Sequence, residues 1–163
     1  MIRIGVFSDS QGDIYHLEKL LDSMGHLDMV LFLGDIAQDA EWLKHKLGRI
    51  PNKPVLWAVR GNNDLSSKLP YDCTVCVGQK QLFMTHGHLY QVRTGISSLV
   101  SKAKKEGAGI ALFGHTHEAL CTWEAGILVI NPGAAGHPYG ARRARACILE
   151  IENDYLSVKD VVA

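Results

Sequence analysis

Apolar residues fall in short blocks along this chain, with polar residues clustered between them. Ile2, Ile4 and Val6 open a nearly continuous apolar run, the pattern of a strand covered on both faces. The polar segment Ser8-Asp9-Ser10-Gln11-Gly12-Asp13 follows at its C-terminal end. Ile14, Leu17, Leu20, Leu21 and Met24 then recur at helical spacing, and Gly25 marks the end of that helix. Residues 28–33 read as a second buried strand running straight into Gly34-Asp35. A helix over about 39–47 places Ala40, Leu43 and Leu47 on one face. Pro54 introduces a third strand, 55–59, which runs into Gly61-Asn62-Asn63-Asp64.

The pattern then changes. Residues 71–77 and 80–85 read as a hairpin turned at Gly78-Gln79, its second arm ending at Thr85-His86-Gly87-His88. Ile96, Leu99, Val100 and Ala103 predict a third helix, with Lys102, Lys104 and Lys105 suited to its negative end and Gly107 as the cap. Residues 109–113 form a short strand leading into Gly114-His115-Thr116-His117. Segments 119–123, 127–130, 144–151 and 154–159 read as closing strands, with Asn131-Pro132-Gly133 a sharp loop after one of them. The expectation is an α/β fold of two packed mixed β-sheets flanked by helices, an αββα sandwich. With 163 residues and no linker, repeat or low-complexity stretch, one domain over 1–163 is expected.

Composition narrows the function classes. A chain that is 47% hydrophobic and 21% charged can bury a core and is not a disordered segment. Seventeen Lys+Arg balance 17 Asp+Glu, so the chain lacks the broad basic field of a nucleic-acid coat or a membrane-surface binder. No apolar run approaches the ~18–20 residues of a membrane span. The first residues read as a strand rather than a leader, so a cytoplasmic location is expected. Cys73 and Cys76 fall on opposite faces of a predicted strand and are expected to be buried small hydrophobes in a reducing compartment rather than a redox or zinc motif. His16, His26 and His45 are expected to be solvated, and His137 to stay clear of any pocket. Trp42, Trp57 and Trp123 are scattered, as packing residues are. Arg142, Arg143 and Arg145 form the only basic cluster outside the third helix.

Five of the apolar blocks end in residues able to bind metal: Asp9 with Gln11, Asp35, Asn62 with Asn63 and Asp64, His86 with His88, and His115 with His117. In α/β sheets the loops beyond the carboxyl ends of the strands are where ligands bind. Oxygen and imidazole donors without thiolate suit Mn, Fe, Zn, Ni or Co better than a structural zinc. So many donors exceed the needs of one tetrahedral ion and fit two ions about 3.5–4 Å apart sharing a carboxylate. Such a pair can hold a bridging hydroxide and clamp both oxygens of an in-line displacement at phosphorus. With two carboxylates against two divalent ions, the site stays positive and attracts an anionic phosphoester without a basic patch.

The ordered set Asp9-x-Gln11, Gly34-Asp35, Gly61-Asn62-Asn63-Asp64, His86-Gly87-His88 and Gly114-His115-Thr116-His117 resembles the calcineurin-like metallophosphoesterases, and Asn131-Pro132-Gly133 is similar to their small single-domain phosphodiesterase branch. The resemblance runs from about residue 2 to 150. It implies that Asp9 and His117 bind the first metal, that Asp35 bridges, and that Asn62, His86 and His115 bind the second. It places His88 beside the site. Two positions depart from the family pattern. Gln11 stands where the family has His, so it either ligates the first metal weakly or hydrogen-bonds a water on it. Asn63 stands where larger phosphatases carry the His that protonates the leaving group, and an amide cannot act as that acid. Asn63 either donates to a phosphate oxygen or satisfies its own loop, and Asp64 braces that loop. Arg142 is a candidate for contact with substrate phosphate.

These readings imply a metal-dependent phosphoesterase, a phosphodiesterase acting on small activated diesters and activated by manganese. The alternative is a catalytically weak metal-binding scaffold, as the small subunit of the eukaryotic retromer sorting complex exemplifies within this fold. Zero net charge argues against a nuclease and against stable nucleic-acid binding. An exposed hairpin leaves a homodimer open.

Overall fold

A computed structural model describes residues 1–163, and its elements follow the apolar blocks in order. The first half is β1 (Ile2–Phe7), α1 (Ile14–Ser23), β2 (Met29–Phe32), α2 (Ala37–Gly48) and β3 (Val55–Ala58). The second is β4 (Asp72–Val77), β5 (Lys80–Thr85), α3 (Ser97–Lys105), β6 (Ile110–Leu112), β7 (Leu120–Glu124), β8 (Ile127–Asn131), β9 (Arg145–Glu152) and β10 (Tyr155–Val162). The strands form two five-stranded sheets, β10-β9-β1-β2-β3 and β4-β5-β6-β8-β7. Both are mixed. β1, β2 and β3 run parallel, as do β5, β6 and β8. The antiparallel neighbours are β9 and β10 in one sheet, and β4 and β7 at the edges of the other.

Three apolar layers account for the near-continuous hydrophobicity of the central strands. Between the sheets, Ile4, Val6 and Leu31 meet Leu82, Leu112 and Ile130. On the outer face of the first sheet, Phe7 and Phe32 pack against Leu17 and Leu20 of α1 and Leu43 of α2. On the outer face of the second, Phe83 and Val129 pack against Leu99 and Ala103 of α3. Each such side chain contributes about 1.5–3 kcal/mol by leaving water, so alternate residues of β1 are fastened to different layers. No helix is long and apolar enough to cross a membrane.

Several expectations need correction. α2 begins at Ala37, before the predicted start, because Asp64 Oδ1 accepts from Ala37 N at 2.8 Å. That cap comes from a distant loop rather than from the residue before the helix. Cys76 is exposed and Cys73 half-buried. They do point to opposite faces, but β4 is an edge strand whose outer face carries no helix, so only Cys73 packs against the inter-sheet core. His16 is half-buried rather than solvated: Asp13, the N-cap of α1, accepts from His16 N at 3.2 Å and pairs with its Nδ1 at 2.8 Å. An unpredicted 3-10 turn at His88–Tyr90 follows β5.

Candidate metal centre

The carboxyl ends of β1, β2, β3, β5 and β6 deliver their loops to one place, and backbone hydrogen bonds stitch the loops together. Asp9 N donates to Gly34 O at 2.9 Å, Gln11 N to Asp35 O at 3.1 Å, and Gly114 N to His86 O at 2.9 Å. Asp9, Gln11, Asp35, His115 and His117 all have left-handed backbones, with φ of 55°, 52°, 53°, 66° and 63°. Non-glycine residues rarely adopt that region, and tertiary packing must hold them there. Two glycines set the closeness of the loops. A Cβ on Gly61 would lie 1.9 Å from Asp35 Oδ1, and one on Gly114 would lie 1.9 Å from Ser8 Oγ and 2.7 Å from Asp9 Oδ2.

Inside this cluster, acceptors face one another. Asp9, Asp35 and His86 each offer one ligand atom within 4.8 Å of the others, and all three are buried. His86 Nδ1 lies 2.7 Å from Leu33 O, so a neutral His86 donates there and turns its Nε2 lone pair inward. That nitrogen is 3.0 Å from Asn62 Oδ1, 3.7 Å from Asp35 Oδ2 and 3.8 Å from Asp9 Oδ1. Asn62 Oδ1 is also 3.1 Å from His115 Nδ1. On the other side, His117 Nε2 stands 3.2 Å from Asp9 Oδ1, out of hydrogen-bond alignment, and 3.3 Å from Gln11 Nε2. Adjacent ligands of an ion with bonds of about 2.1 Å stand about 3.0–3.4 Å apart, the spacing of the His86–Asn62, His115–Asn62 and His117–Asp9 pairs, while His86 stands wider of Asp35 and Asp9. The buried Asp9 Oδ1 has no hydrogen-bond partner, an arrangement that costs free energy unless a cation satisfies it.

The electrostatics favour the ligand forms. Burial opposes ionisation of Asp9, but His117, the neighbouring His86 and the Ser8 hydroxyl together hold its carboxyl below the usual carboxylate range. Burial, reinforced by His86, pushes the imidazoles of His88 and His115 down, toward the neutral form that binds metal.

The remaining candidates sit around this centre. His88 packs ring against ring with this centre without a hydrogen bond to it: its ring centroid lies 5.5 Å from that of His86 and 6.2 Å from that of His115, and its buried Nδ1 has no partner. Asn63 packs onto Asp35, donating through its backbone N to Oδ1 at 3.1 Å and through Nδ2 to Oδ2 at 2.7 Å. Arg142 Nη1 stands 3.0 Å from His117 Nδ1. His137 comes nearer than expected, with Nε2 2.9 Å from the Gln11 carbonyl, but it touches the loop and not the convergent atoms. A cleft of about 390 Å³ opens beside Asn63, with Gln38, Glu41, Ser67 and Lys68 in its walls.

Some supporting residues escaped the sequence reading. Ser8 Oγ donates to Asp9 Oδ2 at 2.6 Å. Asp39, buried in the first turn of α2, accepts from Ser10 Oγ at 2.5 Å and Gly12 N at 2.7 Å and so shapes the Gln11 loop. Arg93 Nε donates to His115 Nε2 at 3.1 Å. Their partners are distant in sequence or belong to another loop, so no local pattern marks them. Asn131 explains its own motif: Nδ2 donates to Gly114 O and Thr116 Oγ1, both at 3.0 Å, and Oδ1 accepts from Gly133 N at 2.9 Å.

The family model for the calcineurin-like phosphoesterase superfamily domain matches residues 2–154. The chain belongs to this superfamily. Such phosphoesterases are metal-dependent, in keeping with the Asp9-Asp35-His86 cluster. The chain is 28% identical over 159 residues to the probable metallophosphoesterase YsnB of Bacillus subtilis (strain 168), covering 94% of this chain and 87% of the relative. It is 26% identical over 179 residues to the phosphodiesterase YfcE of Escherichia coli (strain K12), covering 97% and 91%. The crystal structure of a predicted phosphoesterase from Streptococcus pneumoniae TIGR4 superposes with a TM-score of 0.78 at 30% identity, over 99% of this chain and 89% of that one. Vps29 from Chaetomium thermophilum shares the fold, with a TM-score of 0.76 at 16% identity over 99% and 98% of the two chains.

Proposed function

We propose that this superfamily member is a cytoplasmic, metal-dependent phosphodiesterase that hydrolyses small phosphodiesters at a two-metal centre, with manganese the preferred ion. The observation that carries the reading is the buried Asp9 Oδ1, without a hydrogen-bond partner and facing His86 and His117, a gathering of oxygen and imidazole donors that a cation would reconcile. Asp9 and His117 would hold one ion and Asn62, His86 and His115 the other, with the Asp35 carboxylate available to both. Gln11 would complete that first site as a ligand or through a water. When bound, divalent ions supply a water-derived nucleophile at neutral pH and neutralise charge on the phosphoryl oxygens.

The chain's own groups orient the reaction. Asn63 Nδ2, held by Asp35, is a donor for an equatorial phosphoryl oxygen. It carries no dissociable proton, so leaving groups that depart as stable anions are preferred over alkoxides. The cleft beside Asn63 gives such a group room. His88, neutral and lying behind His86, positions that side of the site, and Arg142 binds phosphate. That the relative YfcE is a phosphodiesterase by name supports the diesterase reading over a monoesterase.

The test is hydrolysis of bis(p-nitrophenyl) phosphate by manganese-loaded wild type and Asp35→Asn, each checked for folding by circular dichroism. Turnover is expected to vanish in the variant and, in wild type, on adding chelator. Equal rates would sink the proposal. The second reading is a metal-binding scaffold of weak catalysis, favoured by Gln11, a neutral donor where the family has imidazole. Zinc binding without turnover under any divalent ion is its signature.

A further inference from the structure

One ester oxygen of a phosphodiester must leave with the electron pair of the broken P–O bond. Asn63 cannot protonate it, so the leaving group must be a weak base by its own chemistry. Three ordinary classes meet that need. A phenolate has a conjugate acid of pKa about 10, a carboxylate one of about 4, and a phosphate monoester a second pKa of about 6. An alkoxide is far more basic. The walls of the cleft beside Asn63 choose among the three.

Asn63 and Asp64 join this cleft to the metal centre. Asn63 Nδ2 donates to Asp35 Oδ2 at 2.7 Å, and Asp64 Oδ2 accepts from Asp35 N at 3.0 Å. The cleft volume of about 390 Å³ lies within the range of about 300–1,000 Å³ usual for small-molecule sites. Its apolar wall residues, Ala37, Leu65 and Leu69, are aliphatic, so a phenolate finds no aromatic face to stack on. Gln38, Ser66, Ser67 and Lys68 line the rest with donors. Ser67 Oγ accepts from Leu69 N at 3.1 Å, which leaves its hydrogen for a ligand. The lysines that form ion pairs are Lys46, Lys102 and Lys159, and Lys68 is not among them. This donor set exceeds what the two oxygens of a carboxylate can use and suits the terminal oxygens of a phosphate. Glu41, exposed on the same wall, accepts and does not donate. It suits a hydroxyl on whatever the phosphate carries.

We propose that the substrate is a phosphoanhydride diester, two organic phosphates joined through a P–O–P bridge. Gln38, Ser66, Ser67 and Lys68 hold the departing phosphate, and Glu41 accepts from a hydroxyl of the sugar or polyol attached to it. The proposal rests on the phosphodiesterase reading above and deepens it. The oxygen of one water bonds to the first phosphorus, and the bond from that phosphorus to the bridging oxygen breaks. The electron pair stays on the bridging oxygen, which departs as part of the second phosphate. Two monoester dianions form from one dianionic substrate, and the two protons of the water go to solvent. Water is the only co-reactant.

The test follows manganese-loaded protein by 31P NMR in 18O-enriched water, with UDP-glucose as the phosphoanhydride probe and glycerophosphocholine as a dialkyl diester. Wild type is expected to release UMP and glucose 1-phosphate with a kcat/KM at least about tenfold above that for glycerophosphocholine, because only the second needs an acid. The label is expected on UMP alone, as it must be when glucose 1-phosphate is the leaving group. Lys68→Ala is expected to lower kcat/KM for UDP-glucose about tenfold relative to that for bis(p-nitrophenyl) phosphate, and Glu41→Gln about threefold. Calorimetry with glucose 1-phosphate alone gives a readout free of turnover: binding should weaken about tenfold in Lys68→Ala. A merely structural role for Lys68 would slow both substrates alike and overturn the proposal. Label on glucose 1-phosphate, or hydrolysis of bis(p-nitrophenyl) phosphate without hydrolysis of UDP-glucose, overturns it too and leaves the two-metal reading standing. Failure of wild type on every diester overturns both.

Discussion

Asp64 carries more of the site than its place outside the ligand set suggests. Its buried carboxylate accepts from Asp35 N at 3.0 Å and Gly61 N at 2.8 Å through Oδ2, and from Ala37 N at 2.8 Å through Oδ1. It thus fastens the loop after β2, the loop after β3 and the start of α2 to one another. Replacing Asp64 with Ala leaves those three N–H groups without their acceptor. Hydrogen bonds to a charged group contribute about 1.5–3 kcal/mol each, the three share one carboxylate and so do not add fully, and water can reach the half-buried Ala37. The expected loss is about 3–5 kcal/mol, against a total stability of about 5–15 kcal/mol for a domain. For a chain of this length that lowers Tm by about 6–20 °C. Asp64→Asn keeps one oxygen for the Asp35 and Gly61 amides and turns its NH2 toward Ala37 N, so it should lose less than half as much. Urea unfolding followed by circular dichroism measures both, and hydrogen exchange at the Asp35 and Gly61 amides should accelerate in the alanine variant. A loss below about 1 kcal/mol for Asp64→Ala would refute the bracing argument, because buried amides deprived of their acceptor cannot be that cheap.

Other perturbations test neighbouring links. Gly114→Ala puts a methyl group 1.9 Å from Ser8 Oγ and 2.7 Å from Asp9 Oδ2. Zinc affinity should fall at least about tenfold by calorimetry as Asp9 is displaced, and Ser8→Gly in the same chain should restore part of it. Asp13 is held below the usual carboxylate range: burial opposes ionisation, but the backbone N–H groups of His137 and His16 and the His16 ring outweigh it. Its ionised form therefore stabilises the fold at every pH above the unfolded value of about 3.9, and that contribution is lost as pH falls through the lower folded value. Asp13→Asn should be less stable than wild type at pH 7, and the gap should close below about pH 4; a gap constant with pH would show that the charge of Asp13 does not matter.

The elements were legible because burial on both faces leaves a mark that needs no knowledge of partners. Ile4 and Val6 face one layer and Phe7 the other, so β1 reads as apolar throughout wherever its neighbours lie. The chemistry was legible for a related reason. A loop that ends a buried strand has few grounds to carry Asp, His and Asn together, and five such loops in order leave little room for coincidence. The failures share one cause. The early start of α2 depends on Asp64, the shape of the Gln11 loop on Asp39, and the contacts on the outer edges of His115 and His117 on Arg93 and Arg142. In every case the partner lies on a separate loop. Cys76 is exposed for the complementary reason: edge position is a property of the sheet, and a strand's own residues do not announce which neighbour it lacks.

Local sequence, then, decided which residues are strands, which are helices and which polar groups stand at their ends, because periodicity and burial act within a few residues. Tertiary structure alone decided how close those groups come. Glycines at 61 and 114 let the loops approach, left-handed backbones at Asp9, Asp35 and His115 turn the side chains inward, and only then does a carboxylate oxygen end up buried with no hydrogen-bond partner. Distances between residues a hundred positions apart are set by the packing of whole sheets, and no stretch of chain encodes them by itself.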